Sequence, residues 1–203
     1  MARFGITGNH LLGISIPVLR QLARKLGKDQ SLSLKLWDSG FHEAQILASF
    51  VGDPAQVTNT QMEKWVKVFD SWDVCDQCCG NLFDRTDMAY TKALVWSQRK
   101  REFEKRAGFV MMAEMAVHDK EAKDKVFLSF LPVIRREAWD ERNFVKKAVN
   151  WALRQIGKRN RALNRAAILE ARRIQKQGTP SAFWITRDAL RELMDPRIQR
   201  KWR

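Results

Sequence analysis

Two short stretches of this chain hold residues whose types and spacing suit chemistry on a charged, planar partner. The first is Asp70-Ser71-Trp72-Asp73-Val74-Cys75-Asp76. A helix begun at Ser71 places Trp72 and Asp76 one turn apart on one face, with Cys79 and Phe83 extending it. Asp73 falls on the side of Gln77, Gly80 and Asn81. A carboxylate against an indole, partly withdrawn from water, stabilises a nearby cation strongly. The plainer account is helix N-terminal chemistry, since acids are favoured in a first turn by the macrodipole. That account covers Asp73 well and Asp76 less well.

The second stretch runs from Val145 to Lys158. On a helical wheel Val145, Val149, Ala152, Leu153 and Ile156 form a core stripe. Lys147, Trp151, Arg154 and Lys158 follow i, i+4, i+7, i+11 on the other side. Cations gathered there repel one another unless a polyanion joins them, and an indole among them offers a flat surface to a sugar or a base. The pattern points to nucleic acid; a merely solvated charged face is the alternative. Arg106 is a further candidate, because Ala107 and Gly108 beside it admit a close backbone or ligand. Glu102, one turn earlier, is its candidate salt-bridge partner.

Other chemistries find little support. Cys75-x-x-Cys78-Cys79 lacks the second ligand cluster a zinc site needs, and no βαβ context supports a redox motif. His10, His42 and His118 stand isolated in sequence. The three cysteines therefore read as small buried packing residues. No metal or cofactor is implied, and no Gly-rich phosphate loop is present. The remaining tryptophans, Trp37, Trp65, Trp96, Trp139, Trp184 and Trp202, read as core or interface anchors.

The 203 residues carry a net charge of +14. Residues 1–98 hold ten basic and ten acidic side chains; residues 99–203 hold all of the excess. The run from Arg142 to Lys176 alone has eleven Lys or Arg against one acid, Glu170. Such asymmetry suggests one positively charged surface. No 18-residue apolar run exists, so no membrane span is expected. The basic helix holds its Trp among the charges instead of opposing them with a lipid-facing side, which ranks a membrane surface below nucleic acid. The start lacks a signal pattern and three cysteines make no disulfide framework, so a cytoplasmic location is expected.

Helical signals position both stretches. Pro17–Leu26 ends at Gly27; Leu32–Trp37 and Phe41–Val51 follow. Thr60 with Glu63 reads as a capping box ahead of Met62–Phe69, and Ser71 as the N-cap of a helix reaching about Phe83. Helices over Met88–Ser97, Glu102–Val117, Lys123–Glu137, Asn143–Lys158, Ala162–Gln177 and Ser181–Met194 complete the set, with a last short one from Pro196. No segment alternates like a strand. Ten to twelve helices in pairs of about 40 residues predict an all-α chain of HEAT-like repeats, a curved solenoid with a concave basic face, over a single domain 1–203. A compact helical bundle is the competing architecture. Short connections make consecutive helices antiparallel neighbours.

The strings SWDVCDQC, KRAGFVMMA and FVKKAVNWALRQIGKRN, in that order, resemble the AlkD-like DNA alkylation repair family of HEAT-like-repeat DNA glycosylases. The resemblance extends from Leu12-Gly13-Ile14 to Asp188-Ala189-Leu190-Arg191-Glu192-Leu193. It implies a superhelix holding duplex DNA that contains alkylated bases, with N3- or N7-alkylated, positively charged purines as substrates. It places the catalytic aspartate at Asp76, the two aromatic site residues at Trp72 and Trp151, and a DNA-contacting arginine at Arg106. Lys147, Arg154 and Lys158 would join Arg106 on flanking phosphates. A cationic purine leaves readily, so the demand falls on the oxocarbenium-like sugar, which Asp76 would stabilise while the indoles make cation–π contacts. Family members usually carry further N-terminal helices, so the chain reads as a shortened member or one with a misassigned start. A monofunctional glycosylase acting as a monomer is the leading expectation. A non-catalytic binder of damaged or branched DNA, and a HEAT-type protein scaffold, are the alternatives.

Overall fold

The computed structural model describes Ile6 and residues 10–200; Trp202 lies outside them. Twelve α-helices and no strand occur among the described residues: α1 (Ile16–Leu26), α2 (Gln30–Asp38), α3 (His42–Val51), α4 (Asn59–Lys67), α5 (Trp72–Asn81), α6 (Ala89–Trp96), α7 (Glu102–His118), α8 (Asp124–Glu137), α9 (Asn143–Gly157), α10 (Arg161–Gln175), α11 (Pro180–Leu193) and α12 (Pro196–Arg200). They fall into two compact units, Met1–Ala89 and Tyr90–Arg203.

Local chemistry sets the helix ends. Asp29, Asn160 and Thr179 cap α2, α10 and α11 by accepting from the backbone N–H three residues on. Gly27 closes α1 at φ +72°, a conformation that costs a side chain dearly. The expected Thr60–Glu63 capping box is displaced. α4 begins at Asn59, and Thr58 accepts from the Gln61 N–H at 3.1 Å. Thr58-x-x-Gln61 carries the same pattern two residues earlier, and one turn of helix rewards whichever threonine precedes it.

In the first unit α3 packs on α1, α2 and α5. Trp37 of α2 and Trp65 of α4 stack with ring centroids 3.8 Å apart and planes within 5°, and Phe83 leans on Trp65. Both indoles are buried, as expected of core anchors. In the second unit the most extensive packing joins α7 to α9, and α9 continues to α11, while α8 packs on α10. Helices two apart in sequence are thus the main neighbours within a layer, α7–α9–α11 in one and α8–α10 in the other. Consecutive helices pack between layers, as α9 with α10 and α10 with α11. This is the arrangement that stacked helical pairs produce.

α7 is the centre of that unit. Every residue from Glu104 to Ala113 is buried, so the helix shows little amphipathic bias. Gly108 is required there. A Cβ at that position would meet the Ser97 backbone N at 2.3 Å and the Ala93 carbonyl at 2.9 Å, so the small residues after Arg106 admit the backbone that ends α6.

Candidate functional residues in each unit

In the first unit, α5 presents Trp72 and Asp76 half-exposed on one face, and Cys75, Cys78 and Cys79 fully buried beneath. Burial pushes the thiols of Cys78 and Cys79 well above the ordinary cysteine range, which suits packing and disfavours thiolate chemistry. Phe83, expected to extend the Trp72 face, is instead buried in the 3-10 turn Phe83–Arg85 beyond the end of α5.

Asp73 is not a solvated first-turn acid. It is buried, and its carboxylate meets His42 Nε2 of α3 at 2.8 Å. Ser71, expected to cap α5 with its hydroxyl, donates that hydroxyl to Asp73, and the Val74 N–H adds a bond at 3.0 Å. Burial works to raise the Asp73 pKa, but the hydrogen bonds from His42 and Ser71 prevail and hold it below the usual carboxylate value. The same hydrogen bond, assisted by the charges of Glu43 and Asp70, raises His42 against its own desolvation. His42 is therefore not isolated: it pins the first turn of α5, and with it the start of the face bearing Trp72 and Asp76.

In the second unit, the core stripe of α9 is as read: Val145, Val149, Ala152, Leu153 and Ile156 are fully buried. Lys147 is exposed and Trp151 half-exposed on the opposite side. The other two cations of the stripe differ from Lys147. Arg154 Nη1 lies 2.7 Å from Glu192 and 3.4 Å from Asp188, and Lys158 Nζ lies 2.7 Å from Glu192. Asn150 donates to Asp188 at 2.7 Å, and Lys146 stands over the Trp184 ring. α11 thus supplies the counter-charges that sequence reasoning had left to an external polyanion. Arg106 is 5% exposed and donates from Nη1 to the Phe144 carbonyl at 2.7 Å, while Glu102 accepts from the Phe144 N–H. Its role within the protein is to tie α7 to the first turn of α9.

The positive charge is spread further than one surface. Arg142 is held by Asp140 at 2.5 Å, and Lys105, buried, bridges Glu137 and Asp140. Arg161, Arg165, Arg172 and Lys176 are exposed on or just beyond α10, in the other layer from α9. Trp139 and Trp184 depart from the core reading: they are 53% and 40% exposed, and each has a lysine ammonium 5.6 Å from its ring. The lysine over Trp139 is the buried Lys105 and that over Trp184 the half-buried Lys146, so each indole covers a cation while its own ring stays exposed.

Stacked helical pairs define the protein as a helical-repeat protein. The sequence matches the family described as DNA alkylation repair enzyme over residues 1–193, and the chain belongs to that family. Its fold is that of the HEAT-like repeat proteins. A solved structure from a family described as related to the HEAT-like repeat DNA glycosylases, with affinity for branched DNA structures, superposes with a TM-score of 0.71 at 17% identity, covering 81% of this chain and 71% of the other. No curated protein gives a significant match.

Proposed function

We propose that the protein is a DNA glycosylase that hydrolyses the N-glycosidic bond of cationic N3- or N7-alkylated purines in duplex DNA. The observation that carries this reading is α5: Asp76 and Trp72 share a half-exposed face, and a buried His42–Asp73 pair fixes the turn from which that face starts. An alkylated purine already carries the positive charge of a good leaving group, so no strong general acid is required. The barrier lies in the developing oxocarbenium-like sugar. A fixed carboxylate next to that carbon lowers it by electrostatics, an effect of about 3–4 kcal/mol for one well-placed group. Asp76 also orients the attacking water. The Trp72 ring offers its negative π face to the cationic nucleoside. On the second unit, Lys147 contacts backbone phosphate and Trp151 packs its ring against a sugar or base.

The second reading is a non-catalytic binder of branched or damaged DNA. It is favoured by the description of the solved relative. Incubation with duplex DNA containing a single 7-methylguanine separates the two. Free base and an abasic site are expected from the glycosylase. Tight, salt-sensitive binding with a preference for junctions and no base release would establish the binder instead.

A further inference from the structure

The first unit, Met1–Ala89, holds nine basic and ten acidic side chains, yet four of its nine cations line one open cleft. Arg20, Arg24 and Lys28 come from α1 and the residue after its Gly27 stop, and Arg85 from the 3-10 turn after α5. Ala23, Gly27, Phe50 and Asn81 complete the wall, and no carboxylate among the described residues lines it. The cleft measures about 310 Å³, room for a phosphate group with its water.

The cations are held in place. Arg20 lies over the Phe50 ring at 4.5 Å and donates to Asn81 Oδ1 at 3.0 Å and Gln77 Oε1 at 2.9 Å. A guanidinium so stacked and bonded is pre-organised, and it keeps further N–H donors for a ligand. Lys28 Nζ donates to the carbonyls of Phe50 and Gly52. Partial burial, then repulsion from Arg85, lowers the Lys28 pKa, against a weaker pull from Asp53. Arg24 has no ion pair among the described residues, and Arg85 reaches only its neighbour Asp84, at 4.0 Å. A concave surface lined by one sign focuses its field on whatever anion enters.

We propose that this cleft binds a backbone phosphate of a nucleic-acid strand. The inference rests on the nucleic-acid reading above and extends it to the electrically neutral half of the chain. Gln77 and Asn81, which hold Arg20, lie on the helix that carries Asp76. Five residues of helix rise roughly 7.5 Å and turn by roughly 140°, so the cleft lies round the helix from Asp76 and takes a phosphate of the strand beyond the nucleotide that faces the carboxylate. The site then acts as an anchor for the strand on the first unit.

The test is the salt dependence of duplex binding in the wild type, Arg24→Ala, Arg24→Glu, Arg24→Ala/Arg85→Ala and Lys25→Ala, with inorganic phosphate titrated separately. Lys25 is exposed on the same helix but outside the cleft. The double variant is expected to lower the slope of log K against log salt by about 1–2 and weaken binding on the order of 10-fold at 0.1 M salt, with Lys25→Ala as wild type. Arg24→Glu, a surface change with little influence on folding, is expected to weaken binding more than Arg24→Ala. Equal losses at Lys25 and Arg24, or an unchanged slope in the double variant, would overturn the proposal while leaving DNA binding intact. Phosphate binding lost in Arg24→Ala without change in the DNA slope would overturn it too, marking a site for free phosphate. A wild type with no salt-dependent DNA binding would sink the nucleic-acid reading itself, and this anchor with it.

Discussion

α5 in the first unit and α9 in the second each carry a half-exposed tryptophan, but they treat charge oppositely. α5 is acidic: one carboxylate, Asp73, is buried and neutralised by His42, and the other, Asp76, stays at the surface beside Trp72. α9 is basic: Arg154 and Lys158 are held by Glu192 and Asp188 of α11, and Lys147 stays at the surface one turn from Trp151. In both helices an internal ion pair fixes orientation and a different residue of the same sign faces outward. The proposed chemistry rests on the outward acid and the proposed binding on the outward base.

The largest effect on stability is expected on α5. Asp73→Ala leaves His42 without its partner inside the unit, and breaking a buried pair from one side costs about 3–5 kcal/mol. Urea unfolding of this variant against Asp76→Ala, whose side chain is half-exposed, tests the division: similar losses in both would show that Asp73 has no special structural share.

The same pair gives a pH signature. His42 is raised in the folded state, so its contribution is fully present below the unfolded value of about 6.5 and is lost as pH climbs through the folded pKa. Asp73 is lowered, so its contribution is present above about 3.9 and lost as pH falls through its folded pKa. The melting-temperature advantage of the wild type over His42→Gln should therefore be greatest between those limits and shrink from pH 6.5 to 9. Asp73, Glu43 and Asp70 all act on the imidazole in the same direction. An advantage that grows with pH would contradict the pairing.

On α9 the expected change is smaller and of opposite sense. Glu192→Gln removes the carboxylate shared by Arg154 and Lys158. Stability should fall by about 1 kcal/mol or less, since these side chains are partly exposed. DNA affinity should rise and its salt slope steepen by up to about 1 as Lys158 becomes available, Arg154 keeping Asp188. Unchanged affinity would mean that Lys158 does not face the nucleic acid.

Features with a local period were legible from the chain. The α9 stripe repeats every three to four residues, and its burial follows. Caps and glycine stops marked most helix ends within a residue or two, and the spacing of Trp72 and Asp76 placed both on one half-exposed face. What escaped lies across long sequence separations. His42 and Asp73 are 31 residues apart, and Arg154 and Glu192 are 38 apart. Arg20 and Arg85 meet only because α1, α3 and α5 pack side by side. No local pattern announces such partners, so Asp73 read as a simple N-terminal acid and the α9 cations as a bare stripe. Of the two readings of Trp139 and Trp184, core or interface anchor, their exposure excludes the core one, which no local pattern could decide.

The most direct measurement is single-turnover release of 7-methylguanine from duplex DNA by wild type and Asp76→Asn at saturating protein, with binding measured in parallel. The asparagine keeps shape and loses charge. Base release should fall by about 10²–10³-fold while the dissociation constant stays within a few-fold of wild type. Asp76→Asn releasing base at the wild-type rate would contradict the assignment of the chemistry to α5.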